Sequence, residues 1–258
     1  MRIVRGPARV EILGRFRVVS SAPWHGGFRH ARRIVNLQVP LSFDCDVPRF
    51  FRTLPPAYRR ADCVGLLTAV DVRTAAVERR AGVTVVATAG ITNSSTVGTI
   101  NTIAVLPGRP ATPAMVEAVK VVTEAKCAVL RDLDVRAGSR LSTGTSTDAI
   151  VVATEDRGEA YDYTGRATSV GRSLGLAAYR AIQIGLRRQA GLVVDRPIRD
   201  RLAERGLSAS EIAGVERRGG LDDSRAWEAT FALDDAVLAG RLSGGPPGGH
   251  VRARVRSR

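Results

Sequence analysis

Ile100-Asn-Thr-Ile-Ala-Val-Leu106, Thr112-Pro-Ala-Met-Val-Glu-Ala-Val-Lys-Val-Val-Thr-Glu-Ala-Lys-Cys-Ala-Val-Leu130 and Ala149-Ile-Val-Val-Ala-Thr154 follow one another along the chain and decide its fold class. The outer two are short apolar runs rich in β-branched residues, which read as strands. The middle one carries apolar side chains at helical spacing, with Thr112 as expected N-cap, Pro113 at the first helical position and Glu117 in the opening turns. Working outward, Arg15–Ser21, Arg33–Val39 and Val83–Thr88 read as further strands and Val64–Val70 as a continuous apolar run. Val47–Arg60 reads as a short helix interrupted by Pro55-Pro56, Asp71–Ala81 as a helix, and Thr168–Gln189 as a long helix stopped by Gly191. Strands alternating with helices give an α/β fold: a single layered domain with a mixed sheet flanked by helices. That domain is expected over residues 1–206. A helical C-terminal extension is expected over 207–242, with Ser208 and Glu211 in capping-box spacing, and a disordered Gly/Pro/Arg tail over 243–258.

Composition bounds the function. A chain of 258 residues with 44% hydrophobic content can bury a full core. No apolar stretch approaches the ~20 residues that a membrane helix needs. Met1–Pro7 holds no apolar run of the kind a signal peptide requires, and Cys45, Cys63 and Cys127 are widely spaced, so a cytoplasmic protein with reduced thiols is expected. The net charge of +14 is concentrated in residues 1–60, where 12 arginines face 3 acids. Aromatics are only 5%, with no basic–aromatic interleaving and no zinc-finger or RNP pattern, so a nucleic-acid partner is not expected.

Three polar turns carry the chemistry: Gly90-Ile-Thr-Asn93, Gly98-Thr-Ile-Asn101 and Ser142-Thr-Gly-Thr-Ser-Thr-Asp148. Glycine lets a backbone approach a ligand, and short hydroxyls and amides supply donors and acceptors. Converging on one pocket, they would suit a large, uncharged, amide-rich substrate. Thr145 or Ser146 could serve as a hydroxyl nucleophile, although the turn lacks the closing glycine of a serine-hydrolase elbow and leads into a strand. Only His25, His30 and His250 are present, which argues against a Ser-His-Asp triad, and the five-residue spacing of His25 and His30 suits no common metal site. Lys126 is one of two lysines among 39 basic residues, and its helical neighbours Val122, Thr123, Val129 and Leu130 offer no acid. An unpaired ammonium could act as base, or as cation over an oxyanion; a snorkelling surface lysine is the alternative. Glu124 is either the partner of Lys120 or a general base. Asp148, Thr143 and Thr147 either serve the reaction or hold the turn. Asn36 and Asn101 interrupt apolar strands, where an unpaired amide is costly; they read as substrate ligands or as structural hydrogen bonders. Trp24 either stacks on substrate or fills the core.

The motifs Gly98-Thr-Ile-Asn-Thr-Ile-Ala-Val105, Thr123-Glu-Ala-Lys126 and Ser142–Val151 stand in the order and spacing of the adenosylcobinamide amidohydrolases, which the chain resembles over about residues 15–206. Ser20-Ser-Ala-Pro-Trp-His-Gly-Gly27 and Ile34-Val-Asn-Leu-Gln-Val39 are similar to that family's N-terminal motifs, and Pro197–Gly206 to its C-terminal helix. Two departures accompany the resemblance, a shortened Ile91–Gly98 stretch and His25 in place of a smaller polar residue. The resemblance implies hydrolysis of the amide joining an aminopropanol arm to a corrin ring, with the corrinoid as substrate and no cofactor; a non-catalytic corrinoid-binding or basic nucleic-acid-binding protein is the alternative. Lys126, Glu124, Asp148 and Thr145 become the expected catalytic residues. Asn36, Asn93, Thr99, Asn101, Thr143, Thr147, Trp24 and His25 become the expected substrate ligands.

Overall fold

Val83-Thr-Val-Val-Ala-Thr-Ala-Gly-Ile91 is buried at every position, so both faces of its strand must be covered and the sheet has to lie between two apolar layers. The computed structural model describes residues 1–91, 98–137, 140–192, 208 and 210. Apart from Ser208 and Ser210, the C-terminal extension expected from sequence lies outside those residues, as do the tail, the helix expected at Pro197–Gly206, and Asn93.

The strands are β1 (Arg2–Gly6), β2 (Arg9–Ser20), β3 (Gly27–Gln38), β4 (Cys63–Thr68), β5 (Ala76–Arg80), β6 (Val83–Ile91), β7 (Gly98–Leu106), β8 (Arg109–Pro110), β9 (Arg136–Ala137), β10 (Arg140–Leu141), β11 (Ala149–Thr154) and β12 (Ala160–Tyr161). The helices are α1 (Val47–Thr53), α2 (Pro56–Arg59), α3 (Thr112–Asp132) and α4 (Ser169–Ala190). Eight strands form one mixed sheet in the order β4-β3-β2-β11-β7-β6-β5, with β1 added to β2. β3 and β4 run parallel, as do β7 and β11; the other pairings in this sheet are antiparallel.

Period-two burial sorts the side chains of β7 and β11 to two faces. Ile100, Ala104, Leu106, Ile150 and Val152 meet α3 and α4 in one core. Ile103, Val105, Ala149, Val151 and Ala153 meet Val10, Ile12, Val18, Ile34 and Leu66 in a second. This second core exists because the sheet curls over on itself. A register shift between Leu13 and Phe16 breaks the β2–β3 ladder, the bend a bulge produces. The curl brings β3 and β4 against β6 and β7: Asn101 on β7 donates to Asn36 on β3 and to the Leu67 carbonyl on β4. Trp24 closes the β4 edge by exchanging backbone hydrogen bonds with Gly65.

The α/β class, the long helices and the Pro55-Pro56 break agree with the sequence reading. Several details differ. Asp71–Ala81 is not a helix: Asp71 caps a single 3-10 turn at Val72–Thr74, and β5 follows. The reason is the Ala81-Gly82 pair, both at positive φ (44° and 81°), which makes a tight hairpin into β6. Thr112 is the first residue of α3, not its cap; Ala111 occupies the cap and offers no side-chain bond. The strands β1, β8, β9, β10 and β12 have no counterpart in the sequence reading, and Gly98–Asn101, read there as a polar turn, is the start of β7, paired to β6 from Gly98 onward. At the end of α4, Gly191 adopts φ 67° as the expected stop.

Candidate active site

Lys126 projects from α3 toward the segment that links α3 to β11. After α3 the chain reverses through β9 and β10, and Ser142 returns beside it by donating its backbone N–H to Val135 O. The Ser142 hydroxyl then donates to Gly144 O at 2.7 Å, tightening the turn that precedes Asp148. Asp148 is the hub. Its Oδ1 accepts from Ile100 N at 2.8 Å and from the Thr145 hydroxyl in a very short contact. Its Oδ2 accepts from Thr145 N at 3.0 Å and from Lys126 Nζ at 2.6 Å. The two ion-paired side chains are 12% and 9% exposed, so the pair is largely desolvated yet reachable from one side.

The expectation of an unpaired Lys126 is therefore corrected. Helical spacing sees only neighbours three and four residues away, whereas Asp148 lies 22 residues along, beyond a loop. Four donors also occupy the lone pairs of Asp148.

An open depression of about 480 Å³ lies against this cluster, lined by Thr123, Lys126, Cys127, Thr143, Gly144, Thr145 and Ser146. Of the residues singled out from sequence, the depression thus brings Lys126, Thr143, Thr145 and Ser146 together. Asp148 stands behind the lining, held by it. Glu124 is exposed, makes no hydrogen bond or ion pair among the described residues, and is absent from the lining. Lys120 pairs with Glu117 instead, at 3.5 Å.

Thr147 and Thr99 bond one another at 2.7 Å, and the Thr147 hydroxyl also meets Gly98 O at 3.0 Å. Asn36 and Asn101 are 2% and 1% exposed and spend their amides on each other, on Thr88 and on backbone groups. Trp24 and His25 are elsewhere again. Trp24 stacks on Phe51 at 4.9 Å, donates its indole N–H to Tyr58 O and fills the outer core; His25 stacks on it, with Nδ1 3.0 Å from Cys63 O.

Three residues of the depression, Thr123, Cys127 and Gly144, were not among the expected site residues. Cys127 donates its thiol to Thr143 O at 3.3 Å, and only its position beside Lys126 could have flagged it. Gly144 is required by contact: a Cβ there would sit 2.7 Å from Asp148 Oδ2 and 2.8 Å from Lys126 Nζ. Among the described residues no group of three or more His, Cys, Asp or Glu is placed to hold a metal ion, and no helix is long and apolar enough to cross a membrane.

A hydroxyl, a carboxylate and an ammonium joined in sequence at the edge of an open cleft are the groups a nucleophilic hydrolase needs. Residues 8–193 match the sequence model of the adenosylcobinamide amidohydrolases. Two relatives named adenosylcobinamide amidohydrolase are similar to the chain. The one from Methanosarcina mazei is 32% identical over 191 residues, covering 68% of this chain and 92% of the relative. The one from Halobacterium salinarum is 30% identical over 191 residues, covering 64% and 78%. The chain belongs to the adenosylcobinamide amidohydrolase family and is an enzyme of the amidohydrolase class.

Proposed function

We propose that this enzyme hydrolyses the amide joining the aminopropanol arm to the corrin ring of adenosylcobinamide, releasing adenosylcobyric acid for cobalamin salvage in the cytoplasm. Family membership supports the substrate. The observation that carries the chemistry is the chain of contacts Thr145–Asp148–Lys126 beside the depression. In this reading the corrinoid is bound as substrate, with its amide arm in the depression and the macrocycle across the mouth.

Thr145 Oγ1 attacks the amide carbon and passes its proton to Asp148 Oδ1. The oxyanion that forms is met by the Lys126 ammonium, a stabilisation of the kind worth about 10²–10³ in rate. As the carbon–nitrogen bond breaks, the amine takes a proton from Lys126, which recovers one from Asp148. Water then hydrolyses the Thr145 ester, yielding the carboxylate and restoring the hydroxyl. The bond broken is the amide, the atoms added are those of one water, and no redox step occurs.

Purified protein incubated with adenosylcobinamide should release equal amounts of corrinoid carboxylate and aminopropanol. Hydroxylamine added during turnover should divert part of the product to a hydroxamate, as an ester intermediate requires. Tight corrinoid binding without amine release would reduce the protein to a binder and overturn the reading.

A further inference from the structure

Three consecutive residues at the start of β7 grip three consecutive residues of the catalytic turn. Thr99 Oγ1 meets Thr147 Oγ1 at 2.7 Å, Ile100 N donates to Asp148 Oδ1 at 2.8 Å, and Asn101 Oδ1 accepts from Ala149 N at 3.1 Å. The first two contacts are part-buried. The third is buried and tied into the rest of the fold: Asn101 Nδ2 donates to Asn36 Oδ1 at 3.0 Å and to Leu67 O at 2.8 Å, and Asn36 Nδ2 donates to Thr88 Oγ1 at 2.7 Å.

A buried amide pair is costly unless every group is matched. Here the two oxygens and two NH₂ groups are each engaged, and their partners lie on β3, β4, β6, β7 and the first residue of β11. Apolar side chains could fill the same volume with the second core, as Ile103 and Val151 do on these same strands. What an apolar pair could not do is fix the peptide between Asp148 and Ala149. That peptide sets where the Asp148 carboxylate starts, and the carboxylate in turn holds Thr145 and Lys126.

We propose that Asn101, braced by Asn36, is a positioning residue for the reaction: it locks the Asp148–Ala149 peptide so that the carboxylate aligns Thr145 with Lys126. The proposal rests on the function read above, and it moves Asn36 and Asn101 from substrate ligands to the support of the site. Neither touches substrate.

Asn101→Ala and Thr88→Val separate this role from mere stability. Both leave a buried polar group of the same network without its partner, and both should lower the melting midpoint by several degrees, about 3–8 °C. Only Asn101→Ala removes the acceptor of Ala149 N. Its kcat should fall about 10- to 100-fold with KM within about twofold, and the Ala149 amide should exchange with solvent faster. Thr88→Val should keep the wild-type kcat and the wild-type exchange at Ala149. Wild-type kcat in Asn101→Ala, or an equal kcat loss in Thr88→Val, would overturn the proposal. Absence of hydrolysis by the unmodified protein would overturn the functional reading alone, and the exchange of Ala149 in the two variants would still decide whether Asn101 fixes that peptide.

Discussion

Gly144→Ala tests the site without deleting any functional group. Gly144 has no positive φ, so alanine meets no backbone strain there. The added methyl would stand 2.7 Å from Asp148 Oδ2, 2.8 Å from Lys126 Nζ and 3.4 Å from Lys126 Cε. Reaching ordinary contact demands a retreat of roughly 0.6–0.7 Å. Asp148 is held by three other donors, so the turn carrying residue 144 backs off the carboxylate and the flexible lysine tail takes most of the displacement. The N···O separation of 2.6 Å then opens to about 3.2 Å, which at an effective dielectric of ~20 costs about 1 kcal/mol. Alanine for glycine returns about 0.4–1 kcal/mol by restricting the unfolded chain. Net stability should therefore stay within about 1 kcal/mol, a shift of no more than about 4 °C in melting. Activity should not be spared. Displacing the cation proposed to meet the oxyanion by more than half an ångström should lower kcat about 10- to 50-fold, given that a 1 Å misplacement can cost about 10². Initial rates of aminopropanol release and a thermal melt measure both quantities. A variant with kcat within about twofold of wild type would refute the argument that the Lys126–Asp148 contact governs turnover.

Lys126→Met should lower kcat about 10²–10³-fold and cost about 2–3 kcal/mol, below a fully buried broken pair because Asp148 keeps three donors; steady-state rates and urea unfolding check this. Thr145→Val should abolish the hydroxamate formed with hydroxylamine at a stability cost of about 1 kcal/mol, whereas Thr145→Ser should retain measurable turnover. Burial pushes the Cys63 thiol up to about 12 and the Tyr161 and Tyr179 phenols likewise to about 12. The unfolded chain gives up these protons first, from about pH 9 for the thiol and about pH 10 for the phenols. Stability should therefore fall with rising pH between about 9 and 12, as alkaline unfolding followed by circular dichroism would show. At pH 8, iodoacetamide should label the exposed Cys45 and leave the buried Cys63 intact, which peptide mapping would reveal.

Local pattern carried most of the secondary structure: α3 and α4 each bury a face whose period is written in the chain, and β6, β7 and β11 are short, mostly apolar runs buried on both faces. Where a turn outweighed the pattern, the reading failed: Ala76-Val-Glu-Arg-Arg80 has helix-compatible residues, and the positive-φ Ala81-Gly82 pair makes it a strand. The same limit governed the site. The hydroxyl-rich turn at Ser142–Asp148 was visible as composition, yet its geometry depends on contacts to residues 99–101, 48 residues away along the chain. Trp24 and His25 are close to the motifs in sequence and still belong to the outer core, since the curl of β2 and β3 carries them to the β4 edge. Motif order marked the region. Sheet curvature sorted its members into those that line the depression and those that support it.

The choice of lysine at position 126 has a steric cause that composition alone disguised. In a chain with 37 arginines, an isolated lysine invites the idea that it must lose its proton. The geometry offers a simpler demand. The ammonium enters between the Gly144 backbone and the Asp148 carboxylate, with 2.8 Å between Nζ and the place a Cβ on Gly144 would occupy. A guanidinium spreads three nitrogens around a planar carbon, and its outer nitrogens would need the volume that the absent Cβ leaves only for a single atom. Gly144 and Lys126 are thus one adaptation in two residues: the missing side chain makes the gap, and a slender cation fills it. The same gap faces the depression, so in the proposed reaction the ammonium that braces Asp148 also keeps donors for a substrate oxygen. A larger cation would have to choose between those two tasks.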